Sequence, residues 1–238
     1  MSENIIQQVR QTLRDCIDPK SLQSSDHFFK PGEQAKVYGV RMAEVSKIAK
    51  EFYKTVSHRS KADTFALCEE LWQSGYLEEA VVACECAYSL RKQYEPDDFE
   101  VFERWLSLYV DNWASCDTLC NHTIGTFVEQ YPHFLSRLKA WTISENRWMR
   151  RGAAVTLIIP ARKGLFFEDI IEITTTLLHD RDDLVQKGYG WMLKAASEAY
   201  RKEVFDFVVH HKATMPRTAL RYAIEKMPAD MRAEAMKK

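Results

Sequence analysis

Repeated pairs of apolar-periodic segments constrain the fold of this chain more than any other feature. From residue 62 onward, apolar residues recur at helical spacing through one segment, a short polar break follows, and a second periodic segment completes the pair. This pattern predicts helices that pack as antiparallel pairs joined by short turns. The predicted pairs are 63–73 with 77–91, 97–111 with 114–129, 132–142 with 146–159, 167–179 with 183–199, and 201–211 with 216–227.

The second helices of the last three pairs can be aligned with one another. Segment 148–153 aligns with 184–189 at an offset of 36 residues, and 184–189 aligns with 218–223 at an offset of 34. Helix pairs that repeat about every 35–40 residues are typical of HEAT-like and related α-solenoids. We therefore expect an all-α protein, a C-shaped α-solenoid of HEAT-like helical repeats whose second helices line a concave groove. The alternative is an irregular helical bundle.

The amino-acid composition agrees with long helices. The chain has 8 Gly and 7 Pro among 238 residues, so Gly has about half of its usual share. Few such residues mean few tight turns, which argues against a β-sandwich or a β-barrel. We expect one domain, with an N-terminal helical cap over 1–61, helical repeats over 62–228 and a tail over 229–238.

Membrane and metal partners are not expected. No run of about 18 apolar residues is present, and the N-terminal segment is polar and acidic, unlike a signal or transit peptide. We expect a cytoplasmic protein whose six Cys are reduced. The spacings of Cys84 with Cys86, and of Cys116 with Cys120 and His122, fit no common structural zinc site. Buried thiols without a metal are therefore predicted.

Charge is distributed unevenly along the chain, although the overall net charge is only −1. Residues 1–136 hold 14 Lys and Arg against 21 Asp and Glu, a net charge of −7. Residues 137–238 hold 19 against 13, a net charge of +6. This asymmetry favours one face that binds an anion. The alternative is scattered, solvated charge.

Basic residues recur on the aligned second helices. Arg151, Lys187 and Arg221 occupy one equivalent position, and three further basic residues lie near it. A cationic groove is typical of nucleic-acid binding, so we expect these side chains to be mostly exposed along the concave surface. The candidate DNA-binding residues are Arg150, Arg151, Lys187, Lys194, Arg217 and Arg221.

Two tryptophans stand in unusual surroundings. Trp113 and Asp117 are four residues apart and share one helical face, so an aromatic ring and a carboxylate could together stabilise a developing positive charge. The alternative is a core tryptophan with a surface or capping aspartate. Trp191 follows Gly188 and Gly190, which permit either close approach of a ligand or tight packing of helices.

Together these motifs resemble the AlkD-like DNA alkylation repair family, which comprises bacterial HEAT-like-repeat DNA glycosylases. The resemblance extends over about residues 25–228. The motifs that carry it are Tyr38-Gly39-Val40-Arg41, Trp113-x₃-Asp117, Trp148-Met149-Arg150-Arg151, Lys187-x₂-Gly190-Trp191 and Met215-Pro216-Arg217-x₃-Arg221-Tyr222-Ala223.

The resemblance implies excision of cationic N3- and N7-alkylated purines from duplex DNA in base excision repair. The enzyme would hydrolyse the N-glycosidic bond as a monomer, without a cofactor or metal. Asp117 matches the catalytic carboxylate, Trp113 and Trp191 match the aromatic residues that flank the lesion's deoxyribose, and Arg151 matches the arginine that supports the nearby phosphate. Lys194 stands where relatives often have arginine. Lysine keeps the positive charge but cannot bind a phosphate in a bidentate manner.

Two other functions are compatible with such a fold. One is a non-catalytic DNA-binding solenoid, and the other is a scaffold that binds peptides. The presence of all four matched site residues favours the enzyme over the first, and the basic residues on the second helices favour DNA over a peptide.

Overall fold

The computed structural model describes residues 2–25, 28–29 and 35–237. Within these ranges the regular structure is helical, with isolated β-bridges such as Ile17 with Val40 and no β-strand. The all-α prediction is therefore confirmed. Residues 1, 26–27 and 30–34 of the expected cap, and residue 238 of the expected tail, lie outside the described ranges.

Contacts within the chain divide it into two compact units, Met1–Leu119 (unit 1) and Cys120–Lys238 (unit 2). The helices of unit 1 are α1 (Ser2–Asp15), α2 (Pro19–Ser25), α3 (Met42–Val56), α4 (Lys61–Trp72), α5 (Leu77–Ser89), α6 (Asp98–Leu108) and α7 (Trp113–Thr118), with a 3₁₀ turn at Arg91–Gln93. Those of unit 2 are α8 (Gly125–Gln130), α9 (Leu135–Trp141), α10 (Arg147–Val155), α11 (Ile158–Arg162), α12 (Phe167–Leu177), α13 (Asp183–Ala196), α14 (Arg201–His211), α15 (Arg217–Ala223) and α16 (Ala229–Met236), with a 3₁₀ turn at Pro132–Phe134.

Aromatic side chains form the centre of unit 1. The ring of Phe65 on α4 meets Phe102 and Trp105 of α6 edge-on, with centroid separations of 5.6 and 5.8 Å. All three side chains are buried, and edge-to-face contacts of this kind add to the energy of burial. Helix α3, whose buried face includes Val45 and Phe52, packs on α5, as does α4.

The helix predicted over 114–129 is interrupted. Helix α7 ends at Thr118, a π-helical segment (Leu119–Ile124) follows, and α8 begins at Gly125. A β-carbon at Gly125 would lie only 2.9 Å from the carbonyl oxygen of Thr156, so a larger residue would displace the backbone here. Apolar residues at α-helical spacing did not predict the interruption, because a π turn adds an extra residue to that spacing over a single turn.

The repeat register of unit 2 agrees with the sequence alignment. Helices α10, α13 and α15 begin directly after Asn146, Asp182 and Pro216, which reproduces the offsets of 36 and 34 residues. The Asn146 and Asp182 side chains accept hydrogen bonds from the first free backbone N–H groups of their helices, as N-cap residues do. Helix α13 packs against both α10 and α15, so successive second helices are neighbours.

The two glycines before Trp191 differ in how closely the neighbouring helices approach them. A β-carbon at Gly190 would lie 2.7 Å from Cβ of Tyr222 and 2.8 Å from the carbonyl oxygen of Ala219, both on α15. A β-carbon at Gly188 would face Arg151 of α10 at 3.4 Å. Of the two interpretations that the sequence left open, tight packing of helices therefore accounts for Gly190, whereas a β-carbon at Gly188 would make only ordinary contacts.

The expected C-terminal tail is itself helical over most of its length. Helix α16 packs on α14 and buries Ala235. Across the described parts of the chain, no helix is both long and apolar enough to cross a membrane.

Candidate functional site

Helix α7 presents the predicted Trp113–Asp117 pair. Asn112 caps the helix by accepting a hydrogen bond from the backbone N–H of Ser115 at 2.9 Å, so the helix starts at Trp113 itself. Ser115 and Cys116 are buried, whereas Trp113 and Asp117 are half-buried at positions i and i+4. The tryptophan is therefore not a core residue, and both side chains reach the surface of unit 1.

Trp113 lines an apolar cavity of about 410 Å³ within unit 1. Its indole N–H donates to the carbonyl oxygen of Phe28 at 3.3 Å, and its ring lies 6.1 Å from that of Phe29. Phe28 is 63% exposed, so an aromatic ring stands at the rim of the cavity. The sequence analysis did not identify these two residues, although two adjacent aromatics among polar residues were a usable signal.

The Tyr38–Arg41 segment forms another wall of the same cavity and is fixed by a buried carboxylate. Three consecutive backbone N–H groups, those of Tyr38, Gly39 and Val40, donate to Glu78 at 3.0, 2.8 and 3.1 Å. Gly39 has a φ of +84°, and a β-carbon there would lie 2.6 Å from Cβ of Leu22. Only glycine combines this backbone conformation with so close an approach.

A second buried carboxylate, Glu79, holds the side chain of Tyr38. The Tyr38 hydroxyl donates to Glu79 Oε1 at 2.7 Å, and Arg10 Nε lies 3.1 Å from Glu79 Oε2. Burial, with the adjacent Glu79 carboxylate, raises the pKa of Tyr38 far above its ordinary value, so the phenol stays a neutral donor. Sequence reasoning missed both glutamates, and two adjacent acids at the start of a helix rich in apolar residues were the available signal.

In unit 2, Arg151 is only 4% exposed, so the expectation that it is mostly exposed is wrong. One of its guanidinium nitrogens, Nη1, donates to the carbonyl oxygen of Leu184 on α13. The next second helix of the repeat, α13, thus covers this side chain, and Gly188 of that helix faces it. Trp191 lies on the same helix α13, one turn after Lys187, and is half-buried.

Three of the other predicted DNA-binding cations are half-buried and ion-paired. Arg150 Nε lies 2.6 Å from Asp180 Oδ2, Lys187 Nζ lies 3.3 Å from Asp183 Oδ2, and Lys194 Nζ lies 2.9 Å from Glu225 Oε2. Their charges are therefore partly compensated within unit 2. The expectation that these side chains are mostly exposed is therefore wrong for Arg150, Lys187 and Lys194 as well.

Exposure along the aligned position increases towards the C-terminal end. Arg151 is buried, Lys187 is half-buried and Arg221 is exposed, as is Arg217 beside it. Each second helix is covered by the next one, and α15 is the last of the three aligned helices, so its arginines remain accessible. The exposure expected of the six cations is confirmed for Arg217 and Arg221.

The cysteines are buried thiols for the most part, as predicted. Cys16 is half-buried and the other five are buried. A hydrogen bond with Cys86, together with burial, raises the pKa of Cys68 well above its ordinary value, so this thiol is a poor metal ligand at neutral pH. In the part of the chain that the structure describes, no group of three or more His, Cys, Asp or Glu side chains could hold a metal ion.

Comparisons with known proteins agree with this fold. A family model described as "DNA alkylation repair enzyme" matches residues 9–227. A solved structure titled "Predicted DNA alkylation repair enzyme from Enterococcus faecalis" matches with a TM-score of 0.78 and 18% identity, over 90% of this chain and 97% of that chain. No curated protein matches the chain. The structural match supports the fold, and the family model spans most of the sequence, so the chain belongs to the DNA alkylation repair enzyme family.

Proposed function

We propose that this protein is a DNA glycosylase that excises cationic N3- and N7-alkylated purines from duplex DNA. Family membership gives a role in the repair of alkylated DNA. The observation that carries the finer assignment is the pairing of Trp113 with Asp117 on one face of α7, where an electron-rich ring and a carboxylate both reach the surface. This combination suits a reaction in which positive charge develops on a sugar.

Asp117 is the proposed catalytic carboxylate. Alkylation at N3 or N7 makes the purine cationic and therefore a good leaving group, so its departure leaves an oxocarbenium-like deoxyribose. A fixed carboxylate stabilises that cation electrostatically and can orient the water that attacks C1′. The purine leaves with the electron pair of the N-glycosidic bond, water supplies the hydroxyl group, and the water proton passes to Asp117. The base is already activated by its own charge, so the reaction needs no metal or redox cofactor.

The tryptophans and Arg151 are proposed to position the DNA. Trp113 and Trp191 are both half-buried, so each has ring surface available for contact with the deoxyribose of the lesion. Arg151 is held by the Leu184 carbonyl group, and we propose that its fixed guanidinium supports a phosphate near the lesion. Trp113 and Asp117 belong to unit 1, and Arg151 and Trp191 belong to unit 2.

The exposed arginines of α15 support duplex DNA as the partner. Arg217 and Arg221 stand next to one another on successive turns and are the most accessible of the six candidate cations. Together with the +6 charge of residues 137–238, they provide the attraction for a polyanion. We propose that the protein binds the duplex as a monomer.

Release of free base from a methylated duplex tests the proposal. The wild-type protein is incubated with DNA that carries one 7-methylguanine, and the free base and the abasic strand are quantified together. The proposal predicts equal amounts of both products, without added metal or cofactor. A protein that binds the duplex in a salt-dependent manner but releases no base from either N3- or N7-methylated purines would instead be a non-catalytic DNA-binding member of the family.

A further inference from the structure

The ion pair between Lys194 and Glu225 differs from the other ion pairs of the candidate DNA-binding residues. Lys194 projects from α13, and its side chain is 15% exposed. Its ammonium group lies 2.9 Å from Glu225 Oε2 and 5.5 Å from the ring centroid of Tyr222. The ammonium group is thus already engaged by a carboxylate and by an aromatic face.

The carboxylates that pair with Arg150 and Lys187 also stabilise the start of α13. Asp180 is 9% exposed, and its other oxygen accepts the backbone N–H of Asp182, which caps α13. Asp183 lies in the first turn of α13, where a negative charge stabilises the helix terminus. Removal of either acid would therefore destabilise α13 as well as remove the counter-charge of the cation.

Glu225 does not stabilise the start of a helix in this way. Its side chain is 58% exposed and, among the residues that the structure describes, makes its polar contact with Lys194 alone. It follows α15 rather than standing inside it, so the helix does not depend on its side chain. Glu225 therefore acts on the charge of Lys194 and on little else.

We propose that Glu225 weakens the binding of undamaged DNA by competing with a phosphate group for Lys194. This inference rests on the proposed function, because it assumes that Lys194 meets the DNA backbone. A phosphate that approaches Lys194 must displace the carboxylate, and any duplex experiences the same competition whatever its base sequence. The carboxylate thereby lowers the sequence-independent part of the affinity and speeds the release of the abasic product.

The test compares Glu225→Gln with wild-type protein in binding to an unmodified duplex over a range of salt concentrations. Loss of the competing carboxylate is expected to tighten Kd about two- to fivefold at low salt, the range of an exposed ion pair. The plot of log K against log salt should also become steeper by up to about 0.9, because one more phosphate is neutralised.

Two further variants isolate the effect. Glu129→Gln is the matched control, because Glu129 also pairs with a lysine of its own unit, Lys163, at 2.7 Å, and that lysine is not a candidate for DNA binding. It is expected to bind DNA as the wild type does. In a Lys194→Gln background, Glu225→Gln should change Kd by much less, because the lysine on which it acts is gone.

The result that overturns the inference is a Glu225→Gln variant that binds no more tightly than wild type, or a Glu129→Gln variant that gains as much. Its failure differs from failure of the proposed function. If wild-type protein releases 7-methylguanine but Glu225→Gln has unchanged Kd and salt dependence, the competition alone is refuted. A wild-type protein that binds no duplex refutes both.

Discussion

Glu78 supports a sharp prediction about the stability of unit 1. In Glu78→Gln, the amide oxygen can keep the bonds from Gly39 and Val40, which both reach Oε1, but the amide NH₂ group then faces the backbone N–H of Tyr38. One charge-assisted hydrogen bond is lost, and a buried donor is left unpaired, because Tyr38 and Glu78 are 8% and 1% exposed. Each effect costs about 1–3 kcal/mol and the two overlap, because the lost hydrogen bond is what leaves the donor unpaired, so we expect a total loss of about 2–4 kcal/mol.

Chemical and thermal unfolding measure this loss. For a chain of this length, each kcal/mol lowers Tm by about 2–4 °C, so the expected decrease in Tm is about 5–15 °C. The matched control is Glu51→Gln, which removes a carboxylate from an exposed pair with Lys54 and should change the unfolding free energy by less than about 0.5 kcal/mol. If Glu78→Gln proves as stable as Glu51→Gln in urea, the three backbone hydrogen bonds do not hold the Tyr38–Arg41 segment as described.

Three further predictions concern packing, DNA binding and pH. Gly190→Ala should destabilise unit 2 by about 1–3 kcal/mol, because its β-carbon would meet the backbone of α15. Gly188→Ala should cost less, because its β-carbon would meet only side chains. Urea unfolding of both variants measures the difference. Lys187→Ala should weaken binding to all DNA sequences alike and lower the salt slope by about one unit, as measured by fluorescence anisotropy; a loss confined to one sequence would contradict a phosphate contact. The Arg104 guanidinium beside Glu69 holds the pKa of that carboxyl below its ordinary value of 4.5. The ion pair therefore stabilises the fold above pH 4.5, and this stabilisation is lost as the pH falls through the lowered pKa of Glu69. The destabilisation caused by Glu69→Gln should therefore be present at pH 7 and shrink on acidification below about pH 4, and an equal difference at both pH values in urea unfolding would contradict this linkage.

The parts of the structure that depend on local sequence were predictable. The predicted second segments begin at 146, 183 and 216, within one residue of the starts of α10, α13 and α15, because apolar periodicity is a property of a few adjacent residues. The shared face of Trp113 and Asp117 follows in the same way from a spacing of four. These features carry both the all-α architecture and the proposed catalytic pair.

Features that depend on contacts between distant segments were not predictable from the sequence. The three hydrogen bonds to Glu78 join residues about 40 positions apart, and nothing in either segment specifies the other. The burial of Arg151 depends on α13, a helix that starts more than 30 residues later. The alignment of the repeats predicted the same exposure for every aligned residue, but α13 covers Arg151. The close approach of Gly125 to the Thr156 carbonyl group likewise joins residues about 30 positions apart.

The carboxylate of Asp117 is the centre of the functional account, and Asp117→Asn tests it most directly. The substitution keeps the shape of the side chain and removes its charge. The measurement is the single-turnover rate of 7-methylguanine release from a defined duplex, with the affinity for that duplex measured in parallel. Asp206→Asn, which removes a carboxylate from an exposed pair with Lys202, is the matched control.

If the carboxylate stabilises an oxocarbenium-like transition state, Asp117→Asn should slow excision roughly 10²-fold or more, about 2.7 kcal/mol, while binding of the duplex changes little. Trp113→Ala and Trp191→Ala should each slow it less, because the cationic purine already departs readily. Asp206→Asn should excise at the wild-type rate. An Asp117→Asn protein that also releases 7-methylguanine at the wild-type rate would contradict the account and remove Asp117 from the mechanism.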